Sequence, residues 1–286
     1  MSCPSGPLLV CLFLALPAGA QTVDEIVARN LEARGGLSRL QAVQTVRMIG
    51  LAPQGAQARS MMGETPTPGV AVMVLEAKRP NLVRNTWRSS GLTEPEYRLA
   101  MRDGADPTGS SAATRERLLE ELLRSDLSGP GLSIVNAFDG TTAWSYDSQQ
   151  RKVVATPIGT PSSGFALDGM LLDFRARGFH VERVGKARAE GKNCHTLLLR
   201  TKAGDAYTIY IDEATHLEVV VEAKTRHSPF IVRTVYDDWK AVGGVMIPHT
   251  TVTSGAEGPG QRLTIDRVEL NVPMDDGRFA PPAVAR

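Results

Sequence analysis

The stretch Ala206-Tyr207-Thr208-Ile209-Tyr210-Ile211, followed after a short break by Leu217-Glu218-Val219-Val220-Val221-Glu222-Ala223-Lys224, decides the fold class. β-Branched and aromatic residues dominate both runs, as a pleated, half-buried surface requires. Side chains alternate along a strand, so residues 207, 209 and 211 share one face. In the second run 217, 219 and 221 share a face, and both glutamates point away from it. One side of the sheet is therefore apolar and the other mostly wet. Working outward, runs at 195–201, 231–237, 245–253 and 261–271 repeat the pattern, with Gly, Asp or Pro between them. Such a meander makes one broad antiparallel sheet.

Toward the N-terminus, further strands are predicted at 45–51, 57–62, 70–78, 81–87, 132–138, 143–147 and 152–156, and again from Val181. Arg79-Pro80-Asn81 and Asp139-Gly140 supply turns. Thr22-Val23-Asp24-Glu25 is a capping box that starts a helix with Ile26, Val27 and Leu31 on one side, and Gly35-Gly36 ends it. A short turn follows at 37–42. A second helix is expected at 161–174, with Phe165, Leu167, Met170, Leu171 and Phe174 apolar and Asp168 and Asp173 facing solvent. Residues 89–130 are rich in Gly, Ser, Asp and charge, with one helix expected at 112–123. They read as a lid or decoration inserted in the main fold.

The sheet's apolar face must be covered, and only two or three short helices are available for about ten strands. The sheet either curls over the helices and leaves a crevice, or folds on itself as a sandwich. With 286 residues and 42% hydrophobic residues the chain can build a real core. Its 32 basic and 31 acidic residues nearly cancel, and aromatic residues make up 5%, which argues against a nucleic-acid partner.

Residues 1–20 read as a signal peptide. Leu8-Leu9-Val10-Cys11-Leu12-Phe13-Leu14-Ala15-Leu16 is the apolar core, Pro17 breaks it, and Ala18-Gly19-Ala20 is the cleavage site. The remainder, 21–286, then forms a single exported domain in the periplasm. It keeps one cysteine, Cys194, and so folds without an internal disulfide.

Catalytic signatures are sparse. His180, His195, His216, His227 and His249 are scattered, with no zinc spacing. Asp103 and Asp106 are poorly spaced for calcium. The sequence has no Gly-x-Ser-x-Gly elbow, Walker loop or dinucleotide glycine pattern. No metal, cofactor or catalytic residue is assigned, and the chain reads as non-enzymatic.

Several pieces together resemble the LolA/LolB-like superfamily of periplasmic lipoprotein-sorting and lipid-binding proteins. They are the opening helix with its Gly35-Gly36 end, and the hairpin Asn136-Ala137-Phe138-Asp139-Gly140-Thr141-Thr142-Ala143-Trp144. Tyr210-Ile211-Asp212 with Thr215-His216-Leu217, Tyr236-Asp237-Asp238-Trp239 with Gly243-Gly244 and Ile247-Pro248-His249, and the stretch from Asn271 to Phe279-Ala280-Pro281 complete the set. The resemblance implies a mainly β fold with short helices: a curved antiparallel sheet of about eleven strands, forming an incomplete β-barrel around the helices. It also implies an apolar cavity for acyl chains or a lipoprotein anchor.

Candidate wall residues are Met73, Leu75, Trp87, Trp144, Phe165, Met170, Leu171, Tyr207, Ile209, Val219 and Val221. Trp239, just before a Gly-Gly turn, reads as a packing residue. The leading reading is binding of a lipid, acyl chain or acylated protein, in lipid or lipoprotein trafficking, with transient contact to a membrane surface. The alternative is an envelope protein–protein or sensor module, with an envelope or outer-membrane protein as partner. An unrecognised hydrolase comes third, and would need a nucleophile within hydrogen-bond reach of His195, His216 or His249.

Overall fold

The computed structural model describes residues 21–52, 71–89, 95, 133–155, 167–226, 228–255 and 260–282. The signal peptide, the strand expected at 57–62, the helix expected at 112–123, Phe165, His227 and nearly all of the insertion expected at 89–130 lie outside them.

The chain opens with α1 (Val23–Ala33) and α2 (Leu37–Ala42). The capping box forms: the Thr22 hydroxyl accepts the Glu25 amide at 3.3 Å, and the Glu25 carboxylate accepts the Thr22 amide at 2.8 Å. Gly35, at φ +116°, ends α1 where a Cβ would lie 2.2 Å from the Gly244 carbonyl oxygen. A side chain there would drive this corner off the sheet. Among the described residues, no helix is long and apolar enough to cross a membrane.

Thirteen strands follow: β1 (Thr45–Ala52), β2 (Ala71–Lys78), β3 (Leu82–Ser89), β4 (Ser133–Phe138), β5 (Ala143–Asp147), β6 (Lys152–Ala155), β7 (His180–Ala189), β8 (Lys192–Arg200), β9 (Ala206–Asp212), β10 (Glu218–Lys224), β11 (Ile231–Val242), β12 (Val245–Ser254) and β13 (Gln261–Leu270). They form one antiparallel sheet in the order β6-β5-β4-β3-β2-β1-β13-β12-β11-β10-β9-β8-β7. The sheet is large and curved and, as expected of an incomplete barrel, does not close; it has thirteen strands among the described residues where about eleven are expected. Two meanders meet where β1 pairs with β13. Bulges in β13, β7 and β10 interrupt the register and bend the sheet.

Between β6 and β7 the chain passes from one edge of the sheet to the other. Residues 167–178 of this passage run as successive turns, with positive φ at Gly169, Asp173 and Gly178, and not as the regular helix expected. The apolar spacing still acts. Leu167 and Leu172 pack with Leu40, Met48, Met73 and Ile247, while Leu171 and Phe174 pack with Ile26, Leu197 and Ile209. The segment thus joins two halves of one inner core. Asp168 does not face solvent. It is buried, and both its oxygens accept from Arg79, at 2.6 and 3.0 Å. The same guanidinium donates to the carbonyls of Leu40 and Val43, so one arginine ties the passage to the end of α2.

The opposite, outer face carries a cross-strand row: Trp144, Ala137, Arg84, Glu76, Arg47 and Glu269 are successive partners. The 3-10 turn Asp276–Phe279 lies against this row. Arg278 donates to Glu76 at 2.6 Å, Arg84 donates to the Arg278 carbonyl at 2.8 Å, and the Trp144 indole donates to the Phe279 carbonyl at 2.9 Å.

Candidate binding cavity

An apolar cavity of about 230 Å³ lies between residues 167–171 and the inner face of β1, β2 and β9–β13. Met48, Met73, Met170 and Met246 contribute four flexible thioether side chains to its wall, with Leu75, Leu171, Ile209, Val221, Leu263 and Ile265. Methionine adapts its shape at low cost, so this wall can adjust to an irregular guest.

Arg34, Glu218 and Tyr236 add polar groups to the lining. Arg34 follows the last turn of α1 and is only 5% exposed. Its Nη2 donates to the Leu167 carbonyl at 2.7 Å and its Nη1 to the Asp168 carbonyl at 3.3 Å. Gly169 makes this possible, because a Cβ there would lie 2.4 Å from Nη1. Nη1 is also 3.6 Å from Glu218 Oε1.

Glu218 reaches the cavity through a bulge. It pairs with Ile211, but the next pair is Val220 with Tyr210, so Val219 is the extra residue. An added residue reverses the alternation of the chain before it. Glu218 therefore turns inward, and Val219 is buried with Ala189, Cys194 and Val220 on the outer side. This corrects the strand phase read from the sequence. Only Glu222 points outward, where it accepts from Tyr210.

On β11, Asp238 has positive φ (52°). Tyr236 and Trp239, three residues apart and out of phase in a regular strand, thereby come together with ring centroids 6.4 Å apart. Both line the cavity. The Tyr236 ring is only partly buried by area. Its phenol nevertheless lies deep enough that burial, with the nearby Glu218 charge, pushes its pKa up to about 12.

Of the candidates named from sequence, Met73, Leu75, Met170, Leu171, Ile209 and Val221 lie together in this wall. Trp87 pairs across the strands with Met73 and packs against the neighbouring core. Tyr207 packs against the Leu197 and Ile209 side. Trp144 is on the outer face with Val135 and Ala137, held by the C-terminal turn, and Val219 is on the outer face as well. The sequence reading missed the polar and aromatic lining residues Arg34, Glu218, Tyr236 and Trp239, and also apolar ones such as Met48, Met246, Leu263 and Ile265. For Trp239 the sequence held a usable signal: a positive-φ-tolerant Asp directly before it.

The described residues assemble no catalytic centre. No group of three or more His, Cys, Asp or Glu is placed to hold a metal. Cys194 is fully buried, and burial raises its pKa away from the reactive thiolate. His195 is buried 3.8 Å from Glu213, and burial lowers its pKa. His249 shares a hydrogen bond with the Ile247 carbonyl. No described serine, threonine or cysteine hydrogen-bonds to the side chain of His195, His216 or His249.

No family model matches the sequence, and no curated protein matches it. Solved structures do match in fold. A DUF1329 family protein from Desulfovibrio piger superposes with a TM-score of 0.52 at 10% identity, covering 93% of this chain and 100% of that one. A LolA superfamily protein from Nitrosomonas europaea superposes with a TM-score of 0.50 at 11% identity, covering 92% and 99%. The chain has the fold these proteins share, at low sequence identity.

Proposed function

We propose that this is a non-catalytic protein of the cell envelope that engages another polypeptide, seating an apolar group of that partner in the cavity beside residues 167–171. The size and polarity of the cavity carry this reading. At about 230 Å³ it falls below the roughly 300–1,000 Å³ of pockets that enclose drug-sized ligands. It also holds a buried ion pair, which a hydrocarbon chain would leave unmatched. One or two side chains of a partner fit such a space better than a long acyl chain does. The apolar run at 8–16 with Ala18-Gly19-Ala20 supports export, and the fold shared with a LolA superfamily protein supports an envelope setting.

A second reading, an acyl-chain carrier, draws support from the four methionines of the wall. The two readings differ in what occupies the cavity. A photo-crosslinking residue in place of Trp239, used in intact cells, should give discrete protein adducts. These should vanish when Val221→Trp fills the cavity, or Met246→Trp if the first variant does not fold. Native mass spectrometry of the mature protein should show no retained lipid. Stoichiometric lipid together with no cavity-dependent protein adduct would overturn the proposal in favour of the carrier.

A further inference from the structure

We propose that the Arg34–Glu218 pair recognises an uncharged backbone amide of the partner polypeptide, next to the apolar side chain that enters the methionine-lined wall. This inference rests on the protein-partner reading above and names the chemistry of its contact.

Both nitrogens at the end of the Arg34 guanidinium are engaged, but its Nε–H has no hydrogen-bond partner among the described residues. Glu218 sets Oε1 toward Arg34, and its Oε2 is likewise buried and unpartnered. A buried polar atom left unmatched is costly, and native proteins carry few of them. Here one donor and one acceptor go unmatched in a single ion pair whose two residues line the cavity. The guanidinium cannot turn to relieve this, because the Leu167 and Asp168 carbonyls and the space over Gly169 fix its plane.

The open groups discriminate among guests. A hydrocarbon satisfies neither. A carboxylate would accept from Nε–H but place a second negative charge beside Glu218, and an ammonium would reverse the problem at Arg34. An amide offers one acceptor and one donor with no net charge, and answers both. Tyr236 lines the same cavity and carries a hydroxyl able to donate or accept. Peptide chains repeat such amides along the backbone and set them next to an apolar side chain wherever the sequence supplies one, so the chemistry fits a polypeptide segment.

The test uses the mature protein with its tryptophan indoles labelled for NMR and the Trp239 signal assigned with Trp239→Phe. Three probes are titrated at neutral pH: N-acetyl-leucine amide, N-acetyl-leucine as its carboxylate, and 2-methylpentane. The amide should bind about tenfold or more tighter than the carboxylate, and tighter than the hydrocarbon. In Glu218→Gln, Arg34 loses its counter-charge and the order should reverse toward the carboxylate. A pair with a merely structural role would leave the order unmoved. Carboxylate preference in the wild type, an unchanged order in Glu218→Gln, equal binding of 2-methylpentane, or no shift of Trp239 with any probe would each overturn the amide assignment. Dodecanamide serves as a fourth arm, and binding that tightens steadily with its longer chain would assign the site to an acyl ligand instead. Cavity-dependent protein adducts at position 239 that persist alongside a failed amide preference would sink this inference and leave the protein-partner reading standing. Loss of those adducts would sink both.

Discussion

Two buried charge clusters sit on opposite faces of the same sheet, and they are built differently. On the outer face, both oxygens of Glu76 are used, by Arg47 at 3.0 Å and Arg278 at 2.6 Å. Arg47 also reaches Glu269 at 3.1 Å, and Arg84 donates to Thr86 and to the Arg278 carbonyl. Burial and the neighbouring Arg278 pull the Arg84 pKa down to about 10. On the inner face, Arg34 and Glu218 line the cavity and stand 3.6 Å apart, each with one unmatched atom. The outer cluster is closed and holds the C-terminal turn in place. The inner one has hydrogen-bonding capacity that the fold itself does not use.

The sharpest way to break this contrast is to remove one partner from each cluster. Glu76 is 1% exposed, and Glu76→Gln leaves Arg47 and Arg278 without their shared counter-charge. Breaking a buried pair in this way costs about 3–5 kcal/mol. Urea unfolding should report a loss of that size, with early exposure of the C-terminal turn to protease. A loss below about 1 kcal/mol would mean that water reaches the outer cluster and that the two faces are alike.

Packing gives the next contrast. Leu197 is fully buried in the Ile26–Phe174 half of the core, whereas Met170 borders the cavity and is only partly buried. Leu197→Ala should cost about 2–5 kcal/mol, the range for opening a hole in packed surroundings. Met170→Ala should cost about 1 kcal/mol, because its side chain already lacks partner atoms on the cavity side. Equal losses in thermal unfolding would show that the cavity wall is as tightly packed as the core.

What the sequence made legible follows the same division. Strands with regular alternation and turn residues at both ends were readable: β5 was placed at 143–147, and β9, β12 and β13 within a residue at either end. So was the Asp139-Gly140 turn, where the Asp139 side chain accepts the amides of Thr141 and Thr142. These are local effects. The β10 bulge was not readable, because one extra residue leaves the composition unchanged while moving Glu218 and Val219 to opposite faces. Nor was the place of Trp144, which is set by a turn some 135 positions later in the chain. The turns at 167–178 replaced a helix although the apolar spacing there is helical, because the segment serves two core clusters and the Arg79 tie rather than one face. Long-range pairing thus decided the cavity's polar end, while local pattern was enough for six residues of its apolar wall: Met73, Leu75, Met170, Leu171, Ile209 and Val221.

Tyr236 sharpens the comparison through pH. Its folded pKa, about 12, lies above the ordinary phenol value of 10.0. A raised folded pKa means that its contribution to stability is fully present below pH 10 and is lost as pH rises through about 12. The rise from 10.0 to about 12 sets an upper bound of about 2.7 kcal/mol, and the partial exposure of the ring reduces it to about 1 kcal/mol. Tyrosinate absorbance should show a late-ionising group that disappears in Tyr236→Phe. The variant should also lose less stability than the wild type between pH 10 and 12. If the two proteins titrate alike, the phenol faces water and the cavity is wetter than the outer cluster.

The smallest effect is expected at Glu218 itself, and its smallness is the point. Glu218→Gln keeps the shape of the side chain and gives up a single 3.6 Å charge contact, while Arg34 retains two backbone carbonyls. At 3.6 Å the pair makes no hydrogen bond and Arg34 keeps both carbonyl partners, so the change in unfolding free energy should stay below about 1 kcal/mol in either direction. A protein that tolerates the loss of the Glu218 charge holds that charge for something other than its own stability, as a site that meets a partner would. A loss at Glu218 as large as that at Glu76 would instead make the inner pair a second structural clasp, and the two faces of the sheet would no longer differ in kind.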